Sequence, residues 1–180
     1  MKVLFIGNSH TYVHDMPHIF QEIALKDGIT VDVTMISHPG WFLAQHVDAP
    51  EARFNILYGC YDYIVLQEHT HPFGPIDKFH NAVRSLNEFV KQTSSKVIIY
   101  PTWAAKAKPE DQEVMSIAFR EIAKEIGALV APVDYNWVEA RKEHNDELYG
   151  PDGEHASTFG STLAAETIWD TIKKDIEYRK

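Results

Sequence analysis

The sequence predicts an α/β fold: a single-domain, flavodoxin-like three-layer sandwich built on a parallel sheet of about five strands in the order 2-1-3-4-5. Three observations predict it. Short apolar runs rich in β-branched residues recur along the chain, and the segments between them carry apolar residues at three- and four-residue spacing with charges between. The first run, "VLFI" at residues 3–6, is apolar at every position, which suits a strand covered on both faces rather than one facing water. Strands that alternate with helices inside one domain join by right-handed crossovers, which gives the parallel sheet.

The elements follow in order. Strand one covers residues 3–6 and stops at Gly7, where Asn8, Ser9 and Thr11 can each bond the free N–H groups of a helix start. A helix covers 16–25 and closes near Gly28, while Met16 and Pro17 interrupt the helical run between His14 and His18. Strands two and three cover 31–36 and 63–66. A helix over 79–90 leads to strand four at 97–100, and a helix over 110–126 closes at Gly127 before strand five at 129–133. The last helix covers 158–176, and residues 145–158, with two glycines and a proline, form the longest stretch without an element.

With 180 residues and 44% hydrophobic composition the chain can bury one sizeable core, whereas a split into two would leave each half marginal. The net charge of −9 and the absence of any Lys/Arg cluster argue against nucleic acid or an anionic membrane as partner. No segment approaches the length of a membrane span, and the N-terminal apolar run is too short for a signal peptide, so a cytoplasmic location is expected. The single cysteine, Cys60, has no intramolecular partner and is expected to be buried and inert in a reducing compartment.

Open α/β sheets bind ligands beyond the carboxyl ends of their strands, so the informative loops are "GNSHT", "SHPGWF", "QEHTHPFGP", "PTWAAKAKP" and "DGEH". In "YGPDGEHAST", Asp152 and His155 stand three apart in a Gly/Pro-flanked turn, so one loop can hold a carboxylate against one nitrogen of the imidazole and leave the other free. A hydroxyl nucleophile needs that arrangement, because only a neutral, oriented His can take its proton at neutral pH. Ser9 supplies the hydroxyl at a helix start, where backbone N–H groups face a developing oxyanion. Gly40, without a Cβ, permits a second close N–H approach.

"FIGNSHT" resembles the nucleophile block of the SGNH hydrolases, the GDSL-type esterases and lipases, and "PDGEHASTFGSTLAA" resembles their closing D-x-x-H block. The resemblance implies a serine esterase that works through an acyl-enzyme, with Ser9 as nucleophile, His155 as base and Asp152 as orienting acid. It implies the N–H groups of Ser9 and Gly40 as oxyanion donors, and neither cofactor nor metal. The family's Asn donor after strand three is replaced here, in "IVLQEHTHP", by Gln67, which is expected to face the cleft and complete the oxyanion hole.

Trp41, Phe73, Trp103, His10 and Glu68 lie in the same loops and are expected to contact substrate, since aromatic faces suit sugar rings and acyl chains alike. No long insertion is present to build a lipid tunnel. A small-molecule, short-chain ester such as an acetylated carbohydrate is therefore the implied substrate.

Three other functions compete. A non-catalytic carbohydrate- or ligand-binding member of the same fold would tolerate the change at Gln67. A metal-dependent hydrolase could use His10, His14 and His18 at four-residue spacing, with Glu68, His69 and His71, but H-E-x-x-H is absent. A flavin- or nucleotide-binding module would need a phosphate-cradling loop, and neither G-x-G-x-x-G nor a P-loop is present.

Overall fold

In the computed structural model, which describes residues 1–144 and 146–178, five parallel strands form one sheet in the order β2-β1-β3-β4-β5. The strands are β1 (Lys2–Gly7), β2 (Asp32–Ser37), β3 (Tyr63–Leu66), β4 (Lys96–Ile99) and β5 (Leu129–Val130). The helices are α1 (Ser9–Tyr12), α2 (Met16–Lys26), α3 (Leu43–Asp48), α4 (Pro50–Tyr58), α5 (Ile76–Val90), α6 (Asp111–Ile126), α7 (Val133–His144) and α8 (Thr158–Tyr178). A single 3-10 turn, Val13–Asp15, joins α1 to α2.

The unbroken apolar runs have a simple cause. Val3 and Phe5 of β1, in register with Tyr63 and Val65 of β3, turn to one face and pack with residues of α2, α7 and α8. Leu4 and Ile6, in register with Ile64 and Leu66, turn to the other face and pack with residues of α3, α4, α5 and α6. Each face buries its own apolar cluster, so alternation has nothing to discriminate. Gly127 closes α6 at φ +69°, and Gly28 follows the cap of α2 at φ +79°, both in the left-handed region that a helix end exploits.

Three details depart from the sequence-based expectation. Strand five is two residues rather than five, because Pro132 has no N–H for the ladder and α7 already begins at Val133. Helices α3, α4 and α7 were not anticipated. The first two are short, and α7 buries only Val133, Asp134 and Trp137, too thin a stripe to show as periodicity. Cys60 is exposed, with φ +55°, on the turn between α4 and β3, where the chain crosses the surface. No helix among the described residues is long and apolar enough to cross a membrane.

Candidate active site

The site is built from the carboxyl end of β1. Gly7 ends the strand in a place with no room for a Cβ, which would collide with Thr11 Oγ1 and stand 2.5 Å from Gln67 Oε1. Its carbonyl accepts a 2.8 Å hydrogen bond from Nε2 of the buried His46 on α3. Asn8, fully buried, then anchors the turn three ways. Its N–H donates to Gln67 Oε1 (2.8 Å), its Nδ2 donates to the Trp41 carbonyl (3.0 Å), and its Oδ1 accepts from the His10 N–H (3.0 Å) as the cap of α1. Ser9 is thereby held half-exposed at the first position of α1, where its N–H has no intrahelical acceptor.

The second half of the site is the loop after Tyr149. Gly150 N–H donates to the His155 carbonyl (2.8 Å), which closes the loop on itself. Asp152 Oδ1 accepts the N–H groups of Glu154 and His155 (3.0 Å each), and its Oδ2 meets His155 Nδ1 at 2.6 Å. Partial burial works to raise the Asp152 carboxyl, but the bonds from the His155 ring and the two N–H groups outweigh it and bring it down to about 2. A carboxylate can only accept, so the His155 proton sits on Nδ1 and the Nε2 lone pair is left for Ser9 Oγ, 2.7 Å away. Ser9, His155 and Asp152 thus form one continuous hydrogen-bonded relay between segments 146 residues apart in sequence.

Two further histidines pack behind the His155 ring. His10, 7% exposed, stacks on His155 with ring centroids 4.8 Å apart and 15° between planes. His71 Nε2 donates to the Trp103 carbonyl (3.0 Å), so its Nδ1 must accept from His10 Nε2 (3.1 Å) while both rings are neutral. Burial holds His10 well below the ordinary histidine value and holds His71 below it too, with neighbouring imidazoles adding to the effect. His10, His14 and His18 do not converge, because His14 sits at φ +54° in the 3-10 turn and His18 is exposed beside Glu22.

Several expected site residues stand elsewhere. Gln67 does not reach over the edge toward Ser9. It is 1% exposed, its Oε1 taken by Asn8 N–H and the Thr11 hydroxyl (2.9 Å) and its Nε2 by the Glu68 carbonyl. A buried amide among apolar neighbours must find such partners, and the β1 turn supplies them. Trp103 is fully buried, stacked on Trp137 at 3.6 Å, and its Nε1 donates to the Glu154 carbonyl (2.8 Å), so it braces the Asp152–His155 loop and presents no face to a ligand. Phe73 packs against Phe79 and Phe119 of the α5–α6 core, as a large apolar ring beside an open cluster does.

Trp41 is half-buried with one face covered by His38 (3.9 Å), and Gly40 is exposed at φ +69°. Glu68 is 2% exposed in the wall of a neighbouring cavity. Asn8, Thr11, His46 and His71 act in this site although the sequence did not single them out for it. Asn8 and Thr11 carry a capping signal that also serves the loop beside them, whereas nothing in a lone His on α3 signals its bond to Gly7.

No family model matches the sequence, and no curated protein matches it. Solved structures do. A protein from Slackia heliotrinireducens, described as a candidate SGNH hydrolase, is similar at TM-score 0.82 and 28% identity over 96% of this chain and 98% of its own. An acetyl-xylooligosaccharide esterase variant from a Geobacillus is similar at TM-score 0.74 and 17% identity, over 95% and 93% of the two chains. A lipase/acylhydrolase from Enterococcus faecalis is similar at TM-score 0.74 and 17% identity, over 97% and 96%. At such identities the last two establish the shared fold.

Proposed function

We propose that this chain, a member of the SGNH hydrolase superfamily, is a serine esterase that cleaves a short-chain acyl ester, with acetylated carbohydrates among the substrates that fit. The observation that carries the reading is the relay from Ser9 Oγ through His155 to Asp152, with contacts of 2.7 and 2.6 Å. In the first step His155 Nε2 takes the Ser9 proton as Oγ attacks the ester carbon, and the Asp152 carboxylate stabilises the imidazolium that forms. The N–H groups of Ser9 and Gly40 stabilise the oxyanion. The tetrahedral intermediate then collapses, His155 returns its proton to the departing alcohol oxygen, and an acyl-Ser9 remains. Water, deprotonated by the same Nε2, attacks the acyl carbon, and as the acyl–Oγ bond breaks His155 returns that proton to Ser9 Oγ and the acid is released.

Hydrolysis of p-nitrophenyl acetate tests the reading. Wild type is expected to turn it over, and Ser9→Ala to lose at least about a thousandfold in kcat while its circular dichroism and melting temperature are unchanged. A fluorophosphonate probe is expected to label Ser9. Turnover that survives in Ser9→Ala would remove Ser9 as the nucleophile.

A further inference from the structure

His10 follows Ser9 on α1, and its backbone is held at both ends. Its N–H donates to Asn8 Oδ1 (3.0 Å) and its carbonyl accepts from the Tyr100 hydroxyl (3.3 Å). The side chain, buried, is enclosed by three rings. His155 lies nearly parallel on one face, with centroids 4.8 Å apart and 15° between planes, while His71 (4.7 Å, 70°) and Trp103 (5.5 Å, 75°) meet the ring edge to face. The residue beside Ser9 in the chain is thus also the one that lies flat on His155.

Hydrogen bonds leave the His10 ring one orientation. The Trp103 carbonyl can only accept, so His71 carries its proton on Nε2 (3.0 Å), and with no carboxylate among the described residues bonded to either ring, His71 Nδ1 accepts from His10 Nε2 (3.1 Å). His10 Nδ1 then holds a lone pair that is buried and has no partner. An unpaired buried acceptor is a cost to the fold, and a phenyl ring would fill the same space without it. What only the imidazole supplies is the Nε2–H that locks its plane, through His71, to Trp103. From Trp103 the path returns to His155, because the indole donates to the carbonyl of Glu154, the residue before it (2.8 Å).

This enclosure matters because Asp152 holds His155 at one ring atom only. The bond at Nδ1 (2.6 Å) selects the tautomer but does not set the tilt of the ring, whose far atom must stay within 2.7 Å of Ser9 Oγ. We propose that His10 is a positioning residue: held through His71 by the Trp103 carbonyl, its ring is the flat wall that sets the tilt of His155 and keeps Nε2 on Ser9 Oγ. The proposal rests on the serine-esterase reading above and gives His10 no contact with substrate.

The test compares His10→Leu and His10→Phe with wild type on p-nitrophenyl acetate. Both variants fill the space and both lose the bond to His71, so they differ in the planar face alone. His10→Leu is expected to lose about tenfold or more in kcat with KM little changed, and His10→Phe to recover at least about threefold of that loss. Circular dichroism checks the fold, and His10→Met replaces His10→Leu should the latter not fold. Equal kcat in the two variants overturns the proposal. A raised KM with kcat held makes His10 a substrate contact and overturns it as well. If wild type turns over no ester, the esterase reading fails, and NMR of the imidazole nitrogens still decides the positioning. His155 is expected as the Nδ1–H tautomer in wild type and His10→Phe and as a mixture in the aliphatic variant, with wild-type His10 protonated at Nε2. The same His155 tautomer in all three proteins, or a wild-type His10 protonated at Nδ1, overturns it.

Discussion

At Gln67 a single amide ties the end of β3 to the Asn8–Ser9 turn. Its Oε1 accepts from the Asn8 N–H and the Thr11 hydroxyl, both buried, so removing it leaves two donors without partners. Gln67→Ala is expected to cost about 1–3 kcal/mol for each orphaned donor and to lower kcat together with stability, because Ser9 follows Asn8 directly. Chemical denaturation read beside steady-state kinetics separates this from an oxyanion donor, whose loss would reduce kcat and leave the unfolding midpoint in place. Gly7 belongs to the same device. Any Cβ there would push against Gln67 and Thr11, the two side chains that fix the turn.

The Asp152–His155 loop is an element that cannot hold itself in place. Asp152 is exposed, and the loop's own bonds close only a few residues. Rigidity comes from the segment after β4. Trp103 Nε1 donates to the Glu154 carbonyl, Lys106 N–H donates to the Gly153 carbonyl (2.8 Å), and Tyr149 OH donates to the Ala104 carbonyl (2.9 Å). Trp103 itself is clamped against Trp137 in the core. Trp103→Phe keeps a ring in the stack and removes the indole donor. It is expected to lower kcat by about tenfold with KM little changed, at a cost near 1 kcal/mol in stability, since His155 is then less well oriented toward Ser9. An unchanged kcat would mean that the loop holds its geometry without the brace.

Across the whole molecule, buried titratable groups at this one edge set opposing pH dependences of stability. Burial is the main cause that holds His10, His46 and His71 below the ordinary value of 6.5, so their contribution is present above that pH and is lost as pH falls below it. Glu68 runs the other way. Its folded value of about 8 lies above the ordinary 4.5, so its contribution is full below pH 4.5 and is lost as pH rises to about 8. Glu68→Gln does not titrate and removes only the second effect. The melting temperature of this variant relative to wild type is expected to climb between pH 4.5 and 8, by on the order of 10 °C, and to level off above. A difference that stays constant across that range would mean that Glu68 is already ionised in the folded protein.

The class of fold was legible in the residues alone because it follows from local signals, and the order of the sheet was the natural guess for such an alternation. The first strand's unbroken apolar run demands cover on both faces, and the alternation of strands with amphipathic helices restricts the crossovers. The same residues brought Ser9, Asp152 and His155 to notice, since a D-x-x-H turn joins a carboxylate and an imidazole within four residues and Ser9 follows a strand end. What tertiary structure decided is where side chains at strand ends point. Gln67, Trp103 and Phe73 stand in the expected loops but turn inward, each toward a partner far away in sequence: the Asn8 turn, the Glu154 carbonyl and the Phe119 ring. Pleat alternation stops at a strand's last residue, and beyond it the rotamer is chosen by whichever buried donor, acceptor or apolar ring needs a partner. That need arises only once distant segments have packed.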